Sequence, residues 1–279
     1  MTLGLFTVRE VVFGRFRLDG GCMFGSVPKN LWAKRIEPDD ENCIPLVARS
    51  LWVTSGDQRI LVDCGMGELW TEPQRRIYAI RNVPELDWGF DPESVTDLIL
   101  THLHFDHAGG LVRRTSSGHL EAVFPNARIH LQRTQWEQAR NPTLKDRASY
   151  LSETVQFLGT APGLTLHDGD VEVLPGLHLH RVDGHTRGQQ WVEIRGGGKV
   201  LFFPTDVVPT AHHVPMAYHL GYDLCAETLL REKEALLSRA LAEQAWVCFQ
   251  HDAHTAMARI GKSDRGQFCV EEGGAEVEG

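Results

Sequence analysis

THLHFDHAGG, residues 101–110, places His102, His104, Asp106 and His107 within six positions, between the apolar run DLIL and a pair of glycines. In extended backbone alternate side chains share a side, so His102 and His104 project together. Asp106 and His107 follow once the chain has turned, and Gly109 and Gly110 let that turn stay tight. Imidazole and carboxylate are the donors a zinc-like ion takes, held by backbone that ends rather than continues a sheet. Such a loop can point at two neighbouring ions, but it cannot complete the shell of both.

Completions stand at the ends of other apolar runs. HLHRVDGHTRGQ (178–189) brings His185 just past a strand-like stretch, KVLFFPTD (199–206) ends on Asp206, and AWVCFQHD (245–252) delivers His251. Around them, LVARSLWVTSG (46–56) and QRILVDCG (58–65) read as strands joined at Gly56-Asp57. LHLHRV (177–182) alternates as a strand does, which makes His178 and His180 strand residues rather than ligands. HAGGLV (107–112) is expected to start a helix, and AETLLREKEALLSRALAEQ (226–244) has leucines at helical intervals. The order is β-rich, mixed, β-rich, then helix and strand. It predicts an α/β fold, an αββα sandwich of two mixed sheets with helices outside, over residues 1–268, with 269–279 as an acidic tail.

Composition narrows the function classes. Twenty-eight basic against 37 acidic residues give a formal charge of −9, so no nucleic-acid partner is expected. No apolar run is long enough for a membrane span, and the N-terminus lacks a signal-like pattern. Six cysteines without a CxxC pair fit reduced thiols, and a cytoplasmic location is expected. The apolar stretch 66–92 is open between core, cavity wall and dimer contact, so the choice of monomer or homodimer stays open.

The HxHxDH loop, the GHT histidine, the later aspartate, the late histidine and the early VDCG together resemble the metallo-β-lactamase-fold hydrolases, over roughly residues 46 to 255. The resemblance implies two divalent metal ions. His102, His104 and His185 would hold one, Asp106, His107 and His251 the other, and Asp206 would bridge them. Zinc is the expected metal, and the same donors suit iron, manganese or cobalt. Asp106 would also relay a proton to the leaving group, while Asp63 and Asp252 are expected to orient ligand imidazoles.

HxHxDHAGGL is written much as in the N-acyl homoserine lactone lactonases, the quorum-quenching branch. That likeness implies a small-molecule substrate, a lactone or small carboxylic ester attacked by a metal-bridging hydroxide. Phosphotriester hydrolysis is the second reading, and a non-catalytic metal-binding protein the third. Those lactonases carry a tyrosine three residues after the bridging aspartate, where this chain has Pro209. Tyr218, Tyr222 and His213 are therefore the expected substrate contacts.

Overall fold

The computed structural model describes residues 1–271. Its first sheet is built on the long antiparallel pair Phe6–Asp19 and Cys43–Ser55. Gln58–Val62 follows antiparallel, with Ser55 opposite Gln58 across the two-residue turn at Gly56, whose φ is +55°. Asp97–Ile99, Arg128–Gln132 and Leu164–His167 then add in parallel. The second sheet runs from Val171–Leu174 through Leu177–Val182, Gln189–Gly196, Lys199–Phe203, Trp246–Cys248 and Met257–Lys262 to Phe268–Val270.

Period-two alternation sorts the side chains into layers. Leu51, Val53, Ile60, Val62 and Ile99 of the first sheet meet Val192, Ile194, Leu201 and Phe203 of the second in a common core. The intervening residues point outward. Trp52, Leu61 and Leu98 pack beneath the helices Arg133–Arg140 and Ser152–Leu158. Trp191, Val200 and Phe202 pack under Leu229, Leu236, Leu237 and Ala240 of the helix Ala226–Ala242. The αββα expectation holds.

Several local expectations change. HAGGLV does not begin an α-helix: a short helix, Phe105–Ala108, precedes the glycines, Gly109–Leu111 makes a single 3-10 turn, and Val112–Arg114 is a strand. Cys269 and Val270 of the expected tail belong to the last strand, and residues 272–279 lie outside the described residues. The 66–92 stretch is divided. Trp70, Tyr78 and Ile80 join one core cluster, Trp88 and Phe90 another, while Ile77 and Leu86 stay exposed. Among the described residues no helix is long and apolar enough to cross a membrane.

The sheets are tied at one end. Arg49 donates to the carbonyls of Phe249 and Asp252 from the opposite sheet, its backbone N–H bonds Gln250 O at 3.1 Å, and Gln190 N–H bonds Thr101 O at 2.9 Å. The strand Asp97–Ile99 and three strands of the second sheet end there.

Candidate metal centre

The loop 101–108 leaves the first sheet after Asp97–Ile99 and is pressed against the turn after Val62. His107 O accepts from Cys64 N–H at 2.8 Å, and Gly65 O from Gly110 N–H at 3.1 Å. A Cβ on Gly109 would sit 2.2 Å from Met66 O, and one on Gly110 2.0 Å from Cys64 O. Both glycines are there for close backbone approach.

The second sheet supplies the remainder from three strand ends. His185 follows Leu177–Val182, Asp206 follows Lys199–Phe203, and His251 follows Trp246–Cys248. Thr205 takes a φ of +49°, rare for a β-branched residue, and its hydroxyl accepts from Gln189 Nε2 at 2.6 Å. Backbone strain of this kind costs about 1–3 kcal/mol and gathers at functional sites.

These residues converge. His102, His104, His185 and Asp206 bring donor atoms within 4.8 Å of one another, and so do Asp106, His107 and His251. Asp206 stands between the groups: Oδ2 is 3.0 Å from His185 Nε2 and 3.5 Å from His107 Nε2, while Oδ1 is 3.0 Å from His251 Nε2. Asp106 lies 3.6 Å from His107 Nε2 and 3.7 Å from His251 Nε2. The seven residues are thus brought together, three histidines with Asp206 in one group and Asp106, His107 and His251 in the other.

Outer hydrogen bonds aim the rings. Asp63, held at φ +60°, lies with Oδ2 2.9 Å from His107 Nδ1 and accepts from Thr101 and Gln250. His251 Nδ1 is 2.9 Å from Val47 O, and His185 Nδ1 is 2.8 Å from Asp223 Oδ1. A ring nitrogen that donates outward leaves the other free to ligate. Asp63 fills its expected role. Asp252 does not: its carboxylate accepts from the backbone N–H groups of Ala211, His254 and Thr255, so it fixes the neighbouring loops. Asp223 does what was expected of Asp252, from a segment without a motif.

The donor set fits cations. Among the described residues the buried His102 and His104 each leave Nε2 without a hydrogen-bond partner, an arrangement that suits an electrophile. Burial first, then the imidazoles of His107 and His104, pushes His102 well below the ordinary histidine range. His104 moves the same way through burial and His185, so both rings are neutral, as ligation requires. Burial works against a charge on Asp206, but the imidazoles of His107, His185 and His251 outweigh it and hold the carboxyl well down. In turn burial opposes protonation of His185, yet Asp206 and Asp223 raise it to about 9.

A cavity of about 150 Å³ opens onto this cluster. Its apolar wall includes Phe16, Leu18, Met23, Leu46 and Leu220, and its polar side carries Asp106, Lys145 and Ser149. Tyr222 lines it, and burial of the phenol pushes its pKa up. Tyr218 and His213 do not. Tyr218 packs edge-on to Phe24 and under the Arg35 guanidinium. His213 uses both ring nitrogens, at 2.7 Å from Met23 O and 2.7 Å from Thr210 Oγ1, and its ring stacks on Phe24. His178 faces Glu172, and His180 faces Asp170 and Glu193, carboxylates from either side of their strand, as expected of strand residues.

Comparison with known proteins agrees with this geometry. The family model described as metallo-beta-lactamase superfamily matches residues 44–251. An N-acyl homoserine lactonase from a Bacillus species is 32% identical over 192 residues, which cover 65% of this chain and 64% of that relative. A crystal structure of a probable metal-dependent hydrolase from Staphylococcus aureus superposes with a TM-score of 0.87 at 25% identity, covering 98% of this chain and 99% of that one. The dizinc quorum-quenching lactonase AidC superposes with a TM-score of 0.78 at 19% identity, over 97% and 95% of the two chains, a likeness of fold.

Proposed function

The chain belongs to the metallo-beta-lactamase superfamily, and on that premise we propose that it is a dinuclear metallohydrolase opening lactones or cleaving small carboxylic esters. The observation that carries the reading is the meeting of two donor groups on a mostly apolar cavity. A non-catalytic metal-binding protein would have no use for that cavity. Two divalent ions, zinc the expected one, would be held by the seven residues, with Asp206 between them. When bound, such ions act as Lewis acids toward a carbonyl oxygen and lower the pKa of water to about 7.

The chain's own residues do the rest. Phe16, Met23, Leu46 and Leu220, nearly wholly buried, keep solvent from one side and favour an uncharged acyl or ring portion. Asp106 lines the cavity beside the ligand imidazoles and has two carboxylate oxygens. One can ligate while the other carries a proton to the departing alkoxide oxygen. Asp63, Asp223 and the Val47 carbonyl keep three rings in register.

The test is a panel of lactones, activated carboxylic esters and phosphotriesters on protein whose metal content has been measured. About two metals per chain and preferential turnover of the lactones or esters are expected. A fully loaded protein that leaves both classes untouched, or that prefers phosphotriesters, overturns the reading.

A further inference from the structure

Among the described residues Lys145 supplies the single lysine or arginine side chain on the cavity wall, which it shares with His104, His185 and Asp206. Among the described residues its ammonium forms no ion pair, and it donates to the backbone carbonyl of Asp223. An ammonium has three donors, so two remain for whatever enters.

The loop beneath it is fixed. Asp146, 3% exposed, accepts from Thr143 N–H at 2.8 Å and Thr143 Oγ1 at 2.7 Å through one oxygen. Its other oxygen accepts from Gln138 Nε2 at 2.8 Å and Tyr150 OH at 3.3 Å. A buried carboxylate with four donors holds the backbone on the C-terminal side of Lys145, so the lysine, itself exposed, is held at the solvent edge of the cavity. The same cavity is lined by apolar Phe16, Leu18, Met23, Leu46 and Leu220, which offer a substrate charge no partner.

From this we infer that Lys145 is a specificity-determining residue that selects substrates bearing a carboxylate away from the bond that is cleaved. The inference rests on the hydrolase reading and deepens it. A charge-assisted hydrogen bond, about twice as strong as a neutral one, discriminates between a carboxylate and its neutral counterpart. Glutamine at 145 keeps a donor for the Asp223 carbonyl and removes the charge, so it separates recognition from loop support.

The experiment compares kcat/KM for a lactone or aryl ester carrying a terminal carboxylate with that for its methyl ester, in wild type, Lys145→Gln, Lys145→Arg and the remote control Lys199→Gln. The acidic-over-neutral ratio should fall about tenfold in Lys145→Gln, mainly through KM, recover in Lys145→Arg and stay put in Lys199→Gln. A ratio that does not move in Lys145→Gln, or an equal loss on both substrates, overturns the inference. A second arm, calorimetric binding of adipate against hexanoate to the metal-loaded protein, needs no turnover. The advantage of the second carboxylate should vanish in Lys145→Gln, and its persistence overturns the inference. Absence of turnover on every ester and lactone would sink the proposed reaction and leave this arm to decide the role of Lys145.

Discussion

Oδ1 of Asp223 lies 2.8 Å from Nδ1 of His185, 38 residues earlier in the chain, and both side chains are buried. Its second oxygen accepts the Leu220 N–H at 2.8 Å. The carboxylate therefore holds a ligand ring and a piece of the cavity wall together. Asp223→Ala should lower metal affinity about 10–100-fold, as loss of such an outer partner does elsewhere. Asp223→Asn, which keeps an acceptor, should lose less. Competition with a chromophoric chelator measures both; equal affinity in wild type and Asp223→Ala would contradict the assignment.

Metal should also stabilise the fold. A ligand present at a hundred times its Kd adds about 2.7 kcal/mol when it binds only the folded state. Stripping the protein with a chelator should lower Tm, and restoring zinc should return it. In Asp206→Asn, where the residue between the two groups has lost its charge, most of that recovery should disappear. Differential scanning calorimetry before and after reloading gives the comparison.

Gly110→Ala should be costly although the new group is a methyl. Its Cβ would stand 2.0 Å from Cys64 O, which is backbone and cannot swing aside. Overpacking of this kind costs about 1–3 kcal/mol, and the strain falls on the loop carrying His107. Urea unfolding should show the loss, and metal content should drop with it. Gly118→Ala, where a Cβ meets nothing within 4 Å but φ is +84°, is the control for backbone strain without crowding.

A pH dependence separate from the site is expected at Glu193. Burial would raise its pKa, but hydrogen bonds from His180, Arg239 and Arg195 outweigh it and hold the carboxyl far below its ordinary 4.5. Its stabilisation is therefore present above that value and is lost as pH falls. Burial would lower His180, but Glu193 and Asp170 outweigh it and raise the ring above its ordinary 6.5. That part is present at lower pH and fades as pH rises past the raised value. Glu193→Gln should cost about 1–3 kcal/mol near pH 6, a figure reduced because both arginines are partly exposed. The cost should shrink toward both extremes in a series of denaturation curves, and a pH-independent difference would contradict the coupling.

The ligands were legible because each is local to a strand end. An apolar run that stops at His185, Asp206 or His251 marks both the element and the position of the donor. What lay outside local pattern was misread. Asp252 sits beside a ligand, but its oxygens serve backbone N–H groups, a choice made by the loop around it. Asp223 reaches His185 only through tertiary folding, and no periodicity announces it. The His212-His213 pair lies near Asp206 in sequence, yet His213 is turned into the core by Phe24 and Met23. The glycines of HAGGLV signalled a close approach of two loops, which looks the same in one dimension as the start of a helix.

Four of the seven donors hang from one sheet's rim and three from the other's. Cations seated there would rivet the two halves of the sandwich along their shared seam. Sliding of one half against the other by even an ångström would pull the donors apart. Chelation should accordingly loosen amide protons at this seam first, including those of Gln190 and Arg49, while the opposite end of the molecule stays protected.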